Sequence, residues 1–451
     1  MSPSRSLAAP WRATLLAVLF VAAAVPVARA ADPEDSERPY VVVLKNSKAN
    51  AREVARDHGR RFGVKVRTIY EDGLRGYAGV ITDREAKKLA REPGVAIGPD
   101  TEVRASEAVG SPEDLTTSPY YPALPPGWGW GLDRIDQHPS LAAYPEKNKY
   151  HYTETGDGVI AYVIDSGVNT NHQEFDRSRA TAGFDAFRAS GTAQFGQDCN
   201  GHGTHVAGIL GGRTFGVAKD VSIVSVRVLD CNGSGSVSNV VAGINHVTGR
   251  KNAAKSTPMV ANMSLGGSAN SALDQAVFNS IAAGVTYSIA AGNGNIFGTG
   301  QDACRVSPAR VKAALTVGAT DTTDKRTTWS NWGSCVDVYA PGNNIVSSYG
   351  ATGSTSTSWK PLSGTSMAAP AVGGVAALLL DIDGDASPAQ VSQTIFSLGT
   401  EKVVTGTNTG GARLLYSPYT PDDLFNATKK LGEPASSPPP PPPPSCFLIC
   451  L

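Results

Sequence analysis

The sequence predicts an α/β protein: a parallel sheet with helices on both faces, preceded by a small ferredoxin-like α+β domain. Three observations predict it. Apolar runs alternate with helical patterns from about residue 159 to residue 398, the rhythm of a parallel sheet covered on both sides. The order strand, helix, strand, strand, helix, strand between Tyr40 and Ile97 is the split βαβ arrangement. Lys, Arg, Asp and Glu are frequent from Glu37 to Ser106 and thin out from Trp128 to Pro418, where Gly, Ala, Ser and Val take over. Such a shift in composition marks a domain boundary.

In chain order, Arg5 and Arg12 precede an apolar run, Leu15 to Val27, and then Ala28-Arg29-Ala30. This reads as a secretory signal peptide, residues 1–30, cut after Ala30. A short membrane anchor is the alternative, but the run falls short of the ~20 apolar residues that span a bilayer. No later segment reads as long and apolar enough to span one. Tyr40 to Leu44 is a β-branched strand, Lys48 to His58 a helix, and Val64 to Tyr70 and Leu74 to Ile81 strands. Asp83 is the expected N-cap of a helix to Arg91, followed by Gly94 to Ile97. These elements form a domain at 37–105. Residues 106–127, rich in Pro, Tyr, Ser and Gly, read as a linker.

The large domain is expected at 128–418. Its candidate strands are Val159 to Ile164, Ser222 to Leu229, Met259 to Ser264, Val285 to Ala290 and Ala314 to Thr320. Its candidate helices are His202 to Leu210, Val237 to His246, Ser271 to Ala283, Ser366 to Leu380 and Pro388 to Leu398. The last opens on Ser387-Pro388-Ala389-Gln390, a capping box with Pro at N1. Residues 419–451 read as a tail, in which Pro438 to Pro444 form a polyproline II rod. Cys446 and Cys450 follow the rod, and Leu448 stands where a prenylation box needs Cys.

Formal net charge is zero, so no electrostatic case arises for nucleic acid or an acidic membrane. The chemistry lies in three distant segments: Asp165-Ser166-Gly167, His202-Gly203-Thr204-His205, and Gly364-Thr365-Ser366-Met367-Ala368. They supply a carboxylate, an imidazole and a hydroxyl, the trio that serine acyl transfer needs. Asp165 ends a strand, where open α/β sheets place their sites. His202 suits a proton shuttle. Ser366 opens an apolar helix whose N–H groups favour an oxyanion. Each residue also has a plain reading: a turn Asp, a helix Ser N-cap. His202 and His205 are three apart, so a metal pair is a further reading, with His205 otherwise a hydrogen-bonded structural neighbour. Asn293 sits in the Gly-rich turn Gly292-Asn293-Gly294.

The segments in the order Asp, His, Ser resemble the active-site motifs of secreted subtilases of the proteinase K and aqualysin type, and the likeness covers Tyr40 to about Pro418. The resemblance implies a secreted serine endopeptidase made as a self-processing preproenzyme. Ser366 is then nucleophile, His202 general base and acid, Asp165 its orienting partner, and Asn293 the oxyanion donor. The 37–105 domain resembles the inhibitory propeptide, an intramolecular inhibitor whose last strand fills the cleft, and the resemblance implies a maturation site near or within the 106–127 linker. Gly233, Ser234 and Gly235, with Ser264, Leu265 and Gly266, correspond to the two segments that pair with a bound peptide. With no acidic cluster nearby, the expected P1 residue is apolar or aromatic. Four cysteines allow three connectivities; the resemblance implies Cys199–Cys231 and Cys304–Cys335. It also implies structural Ca2+, held by Asp337 with the carbonyls of Lys312 and Ala314, and by Asp133, Asp136 and Gln137 near the mature N-terminus. After Gln137, His138-Pro139 departs from the pattern. The expected partners are protein and peptide substrates, with no nucleic acid and no membrane after signal cleavage, for a protein acting as a monomer. A binding protein on a dead scaffold and a metallohydrolase are the competing classes.

Overall fold

The computed structural model describes residues 33–107, 129–140 and 149–434, apart from short segments at 176–177, 296–297, 352–355 and 408–411. The expected signal peptide, most of the expected linker and the expected proline rod with Cys446 and Cys450 lie outside the described residues.

The N-terminal module contains β1 (Glu37–Leu44), α1 (Ala51–Phe62), β2 (Lys65–Tyr70), β3 (Gly76–Thr82), α2 (Asp83–Leu89) and β4 (Val95–Pro99). Its sheet order is β2-β3-β1-β4 with antiparallel neighbours, as the split βαβ pattern requires. Helix α2 corrects one expectation. Its N-cap is Thr82, whose side chain accepts the Glu85 N–H at 3.2 Å. Asp83 is the first helical residue, and its carboxylate accepts the Tyr40 hydroxyl at 2.9 Å instead.

A separate strand, β5 (Glu102–Ala105), leads toward the large domain. That domain continues with α3 (Trp130–Ile135), β6 (Ile160–Asp165), β7 (Ala180–Asp185), α4 (His202–Gly211), β8 (Ser222–Arg227), β9 (Ser234–Ser236) and α5 (Val237–Ala253). Next come β10 (Met259–Met263), β11 (Leu265–Ser268), α6 (Ser271–Ala282), β12 (Thr286–Ala290), β13 (Val306–Ser307) and β14 (Leu315–Thr320). The chain closes with β15 (Val338–Pro341), β16 (Ile345–Ser348), β17 (Trp359–Leu362), α7 (Thr365–Ile382), α8 (Pro388–Leu398), β18 (Thr400–Glu401), β19 (Arg413–Leu414) and α9 (Pro421–Leu431).

The main sheet runs β7-β8-β6-β10-β12-β14-β15-β19-β18. Every pair is parallel except β18–β19. One apolar core joins the sheet to α4, α7 and α8, and a second joins it to α5 and α6. The N-terminal module enters the second core through Val41, Val43, Tyr70 and Ala78. Strand order reverses around β6, so the carboxyl end of β6 opens onto the crevice where such sheets place their sites.

Three further expectations change. Helix α7 begins at Thr365 with Gly364 as N-cap, so Ser366 is its second residue and not a cap. Helix α7 is also long and apolar enough to cross a membrane, but it is almost wholly buried in the core. The segment from 419 is not only a tail. Thr420 and Asp423 form a capping box with Pro421 at N1, and Ala427 and Leu431 are buried, so α9 belongs to the folded domain.

Candidate active site

Asp165 is the last residue of β6, and His202 the first of α4. His202 Nδ1 and Asp165 Oδ1 lie 2.7 Å apart, both side chains fully buried. The Ser166 N–H donates to the same oxygen at 2.7 Å, which fixes the carboxylate. The approach is tight: a Cβ on Gly203 would stand 2.1 Å from the Gly167 oxygen. Burial pulls the His202 pKa down, but the Asp165 charge and hydrogen bond outweigh it, Glu107 and Asp198 add to them, and it rests at about 9. His202 Nε2 is buried with no hydrogen-bond partner among the described residues. His205 faces elsewhere: its Nε2 lies 2.8 Å from the Lys360 oxygen, and burial lowers its pKa to about 3. The two rings serve different partners and do not converge.

The nucleophile candidate lies across the crevice. The Ser366 hydroxyl donates to the Ser264 oxygen at 3.0 Å. Asn293 is oriented by Thr365, whose N–H and hydroxyl both donate to Asn293 Oδ1 at 2.9 Å. With that oxygen occupied, Asn293 Nδ2 points the other way and donates to the Ser106 carbonyl oxygen. The Ser366 N–H lies 3.4 Å from the same oxygen. One carbonyl thus faces two convergent donors, the geometry of an oxyanion hole. Gly364 leaves room for it, since a Cβ there would stand 2.5 Å from the Ser106 oxygen.

That carbonyl is delivered by β5, which lies between β9 and β11, antiparallel to both. Gly233 and Ser264 accept the Ala105 and Ser106 N–H groups, each at 3.0 Å. Ser234 and Gly235 pair with Arg104 and Val103, and Leu265 and Gly266 with Ala105 and Arg104. All six sequence-predicted edge residues therefore line this strand. Val103 is 1% exposed within the second core, whereas the Arg104 side chain is 69% exposed. Beside Ser106 lies a cavity of about 440 Å³ lined by Gly266, Gly292, Gln301, Arg305, Val306 and Asn331. Ser106 and Glu107 open the segment read as a linker with the maturation site, and Ser106 is held in the cleft. Sequence reasoning missed Thr365 and Ser106 as site residues. The first lies inside the Gly364-Thr365-Ser366 motif, and the second carries no local signal.

Residues 156–410 match the Subtilase family, and residues 39–106 match the Peptidase inhibitor I9 family. The chain belongs to the subtilase family of serine peptidases. The second match ends at Ser106, the residue whose carbonyl faces Asn293 and the Ser366 N–H. The subtilase is 48% identical over 359 residues to the extracellular serine proteinase of Thermus sp. (strain Rt41A), covering 79% of each chain. It is 42% identical to the alkaline serine exoprotease A of Vibrio alginolyticus, over 79% of this chain and 61% of that one. Its fold matches the crystal structure of a cold adapted subtilisin-like serine proteinase with a TM-score of 0.57 and 46% identity, over 64% of this chain and 98% of the other.

Two disulfides brace this subtilase, Cys199–Cys231 and Cys304–Cys335, the pairs that the resemblance implied. Their sequence separations of 32 and 31 residues correspond to about 3–4 kcal/mol each in the chain-entropy view. Among the described residues, no group of three or more His, Cys, Asp and Glu is placed to hold a metal. The oxygen donors near α3 nevertheless suit a hard cation. Asp136 Oδ1 and Gln137 Oε1 are buried with no hydrogen-bond partner, and Gln137 Nε2 lies 3.0 Å from Asp133 Oδ1. The other Asp136 oxygen accepts from the His151 N–H at 2.6 Å. At the second predicted position, Asp337 accepts the Thr316 N–H at 2.8 Å. Burial lifts its pKa to about 7. The Lys312 ammonium nearby donates to the Ser334 oxygen, so Lys312 and Ala314 could offer only carbonyls there.

Proposed function

We propose that this subtilase is a secreted serine endopeptidase, made as a zymogen, that first cuts its own chain between Ser106 and Glu107. The observation that carries the reading is the Ser106 carbonyl oxygen facing Asn293 Nδ2 and the Ser366 N–H. The Ser366 hydroxyl leaves the Ser264 oxygen, attacks the Ser106 carbonyl carbon, and passes its proton to His202 Nε2. Asp165 holds the imidazole by Nδ1 and stabilises its charge. The two donors take the oxyanion, a contribution on the order of 3 kcal/mol for the Asn alone. As the tetrahedral intermediate collapses, the bond to the Glu107 nitrogen breaks and His202 protonates that amine. Water, activated by the same imidazole, then releases Ser106 as a carboxylate.

Outside substrates take the place of β5 as a strand between β9 and β11. The cavity beside Ser106 has room for a larger P1 side chain than serine, and apolar and aromatic residues are the proposed preference. The leader at residues 1–30 and a relative named extracellular support export. Ca2+ is the proposed structural ion, with Asp133, Asp136 and Gln137 as one donor set and Asp337 with the Lys312 and Ala314 carbonyls as another.

The test is to express wild type and Ser366→Ala at full length and sequence the N-terminus of the shortened product. Wild type is expected to yield a chain beginning at Glu107 while Ser366→Ala stays uncut. A purified Ser366→Ala protein that cuts itself at that bond would sink the reading.

A further inference from the structure

We propose that Asp198 is the positioning residue that registers the His202 imidazole against Asp165. The inference rests on the hydrolytic reading above. Asp198 precedes α4, four residues before His202, and its side chain is buried. Its Oδ1 accepts from the Ser166 hydroxyl at 3.0 Å and from the Asn200 and Gly201 N–H groups at 2.9 Å. Its Oδ2 accepts from the Thr204 N–H at 2.9 Å and the Thr204 hydroxyl at 2.7 Å. Burial pushes the Asp198 pKa up, and the hydrogen bonds from Gly201, Thr204 and Asn200 oppose that rise; all five groups on these four residues donate, so the anion is the form that the geometry fits.

The arrangement answers two local problems. First, the N-cap of α4 is Gly201, which offers no side-chain oxygen to the first turn. Those N–H groups need acceptors. Asp198 serves Thr204, and the Ser166 hydroxyl accepts the Gly203 N–H at 3.0 Å. Because Ser166 follows Asp165 directly, the Asp198–Ser166 bond ties the end of β6 to the first turn of α4. Those are the two elements that carry Asp165 and His202. Second, a helix N-terminus disfavours a cation, yet His202 must become an imidazolium there during the reaction. A buried carboxylate at that turn offsets the helix dipole. The charges that face the imidazole are Asp165 from β6, Glu107 from the N-terminal segment and Asp198 from the loop before α4; His205, on α4, adds an opposing influence only when protonated.

Self-cleavage of the refolded full-length precursor tests the idea. Its strand is already seated, so the first-order rate reads the chemical step without a binding term. Asp198→Asn is expected to slow cleavage on the order of 10²-fold, as small misplacements do, and to move the acid limb of the pH–rate profile downward. Ser166→Ala keeps the charge and loses the tie, so it is expected to slow cleavage with the limb unmoved. Both substitutions are also made with Ser366→Ala, so that near-UV circular dichroism and urea midpoints report folding on an uncut chain. A folded Asp198→Asn precursor with a rate within about twofold of wild type, or a slower one with an unmoved limb, overturns the proposal. Should Asp198→Asn fail to fold, an unchanged rate in Ser166→Ala overturns it. Cleavage by Ser366→Ala itself would remove the underlying reading, whereas full activity in Asp198→Asn beside an inert Ser366→Ala removes only this inference.

Discussion

Ser264 and Ser366 each donate a hydroxyl to the other's backbone carbonyl: Ser366 Oγ lies 3.0 Å from the Ser264 oxygen, and Ser264 Oγ 2.9 Å from the Ser366 oxygen. Pro370 explains the second bond. It stands inside α7 four residues after Ser366 and has no N–H to give to that carbonyl. Ser264 fills the gap. Its own hydroxyl accepts from Asn262 Nδ2 at 2.9 Å, and Asn262 Oδ1 accepts the Ser288 hydroxyl at 2.9 Å. A fully buried polar chain thus holds the Ser366 turn of α7 from beneath, and the Ser264 oxygen also receives the Ser106 N–H.

Ser264→Ala is therefore expected to leave the Ser366 carbonyl buried and unmet, at about 1–3 kcal/mol of stability. Urea unfolding of the uncut Ser366→Ala precursor, with and without Ser264→Ala, measures it. Equal midpoints and slopes would show that the exchange carries no net stability.

The pH dependence of the proposed self-cleavage follows from His202. In the proposed role of general base it must be neutral, and in the uncut chain its pKa lies at about 9. The rate is expected to climb with pH and level off above about 9. The Glu107 carboxylate raises that pKa, so Glu107→Gln is expected to move the rise to lower pH. If the cut falls where proposed, Glu107 can leave the cleft in the mature enzyme, which should then share the lower limb. Superimposable profiles for wild type and Glu107→Gln would remove Glu107 from this role.

Asp100 ties the N-terminal module to α5. Its carboxylate accepts the Ser238 N–H at 2.8 Å and the Ser238 hydroxyl at 2.6 Å, beside the α5 N-cap Ser236, where negative charge is favoured. Asp100→Ala is expected to weaken the hold of the cleaved module roughly tenfold, about 1.4 kcal/mol. The reading is the delay between the cut on a gel and the appearance of activity on an added peptide. A delay as long as in wild type goes against the expectation.

Calcium is expected to act on stability before chemistry, since its candidate donors lie on and just after α3 and beside β14, and not among Asp165, His202 and Ser366. Chelation should lower the melting temperature of the inactive precursor by several degrees. Asp136→Asn should blunt the effect. An unchanged melting temperature on chelation would retire these donor sets.

Much of this was legible beforehand because the signals are local. The runs around Val163, Val260 and Ile289 are buried on both faces of a parallel sheet, so each reads as an unbroken apolar stretch. The Ser387 capping box sits within four residues, and α8 begins where it says. Asp83 misled because Thr82, one residue earlier, is an equally good cap, and only the extended backbone at Thr82 separates them. Helix α9 was hidden by the proline-rich sequence beyond it, although Thr420, Pro421 and Asp423 mark its start.

The residue types at 165, 202, 293 and 366, their motifs, and the glycines that admit a close strand were all present in the chain read as letters. That short motifs survive such reading has a physical reason: turn, cap and close approach each depend on a few neighbouring residues. Which bond lies in the cleft does not. The Ser106 carbonyl reaches Asn293 and Ser366 only because β5 is clamped in register between β9 and β11, residues more than a hundred positions downstream. The service of Asp198 to β6 and α4 together, and the exchange between Ser264 and Ser366, likewise come into being only when distant strands and helices pack. Such contacts arise from side chains converging in space, and no window along the chain contains them.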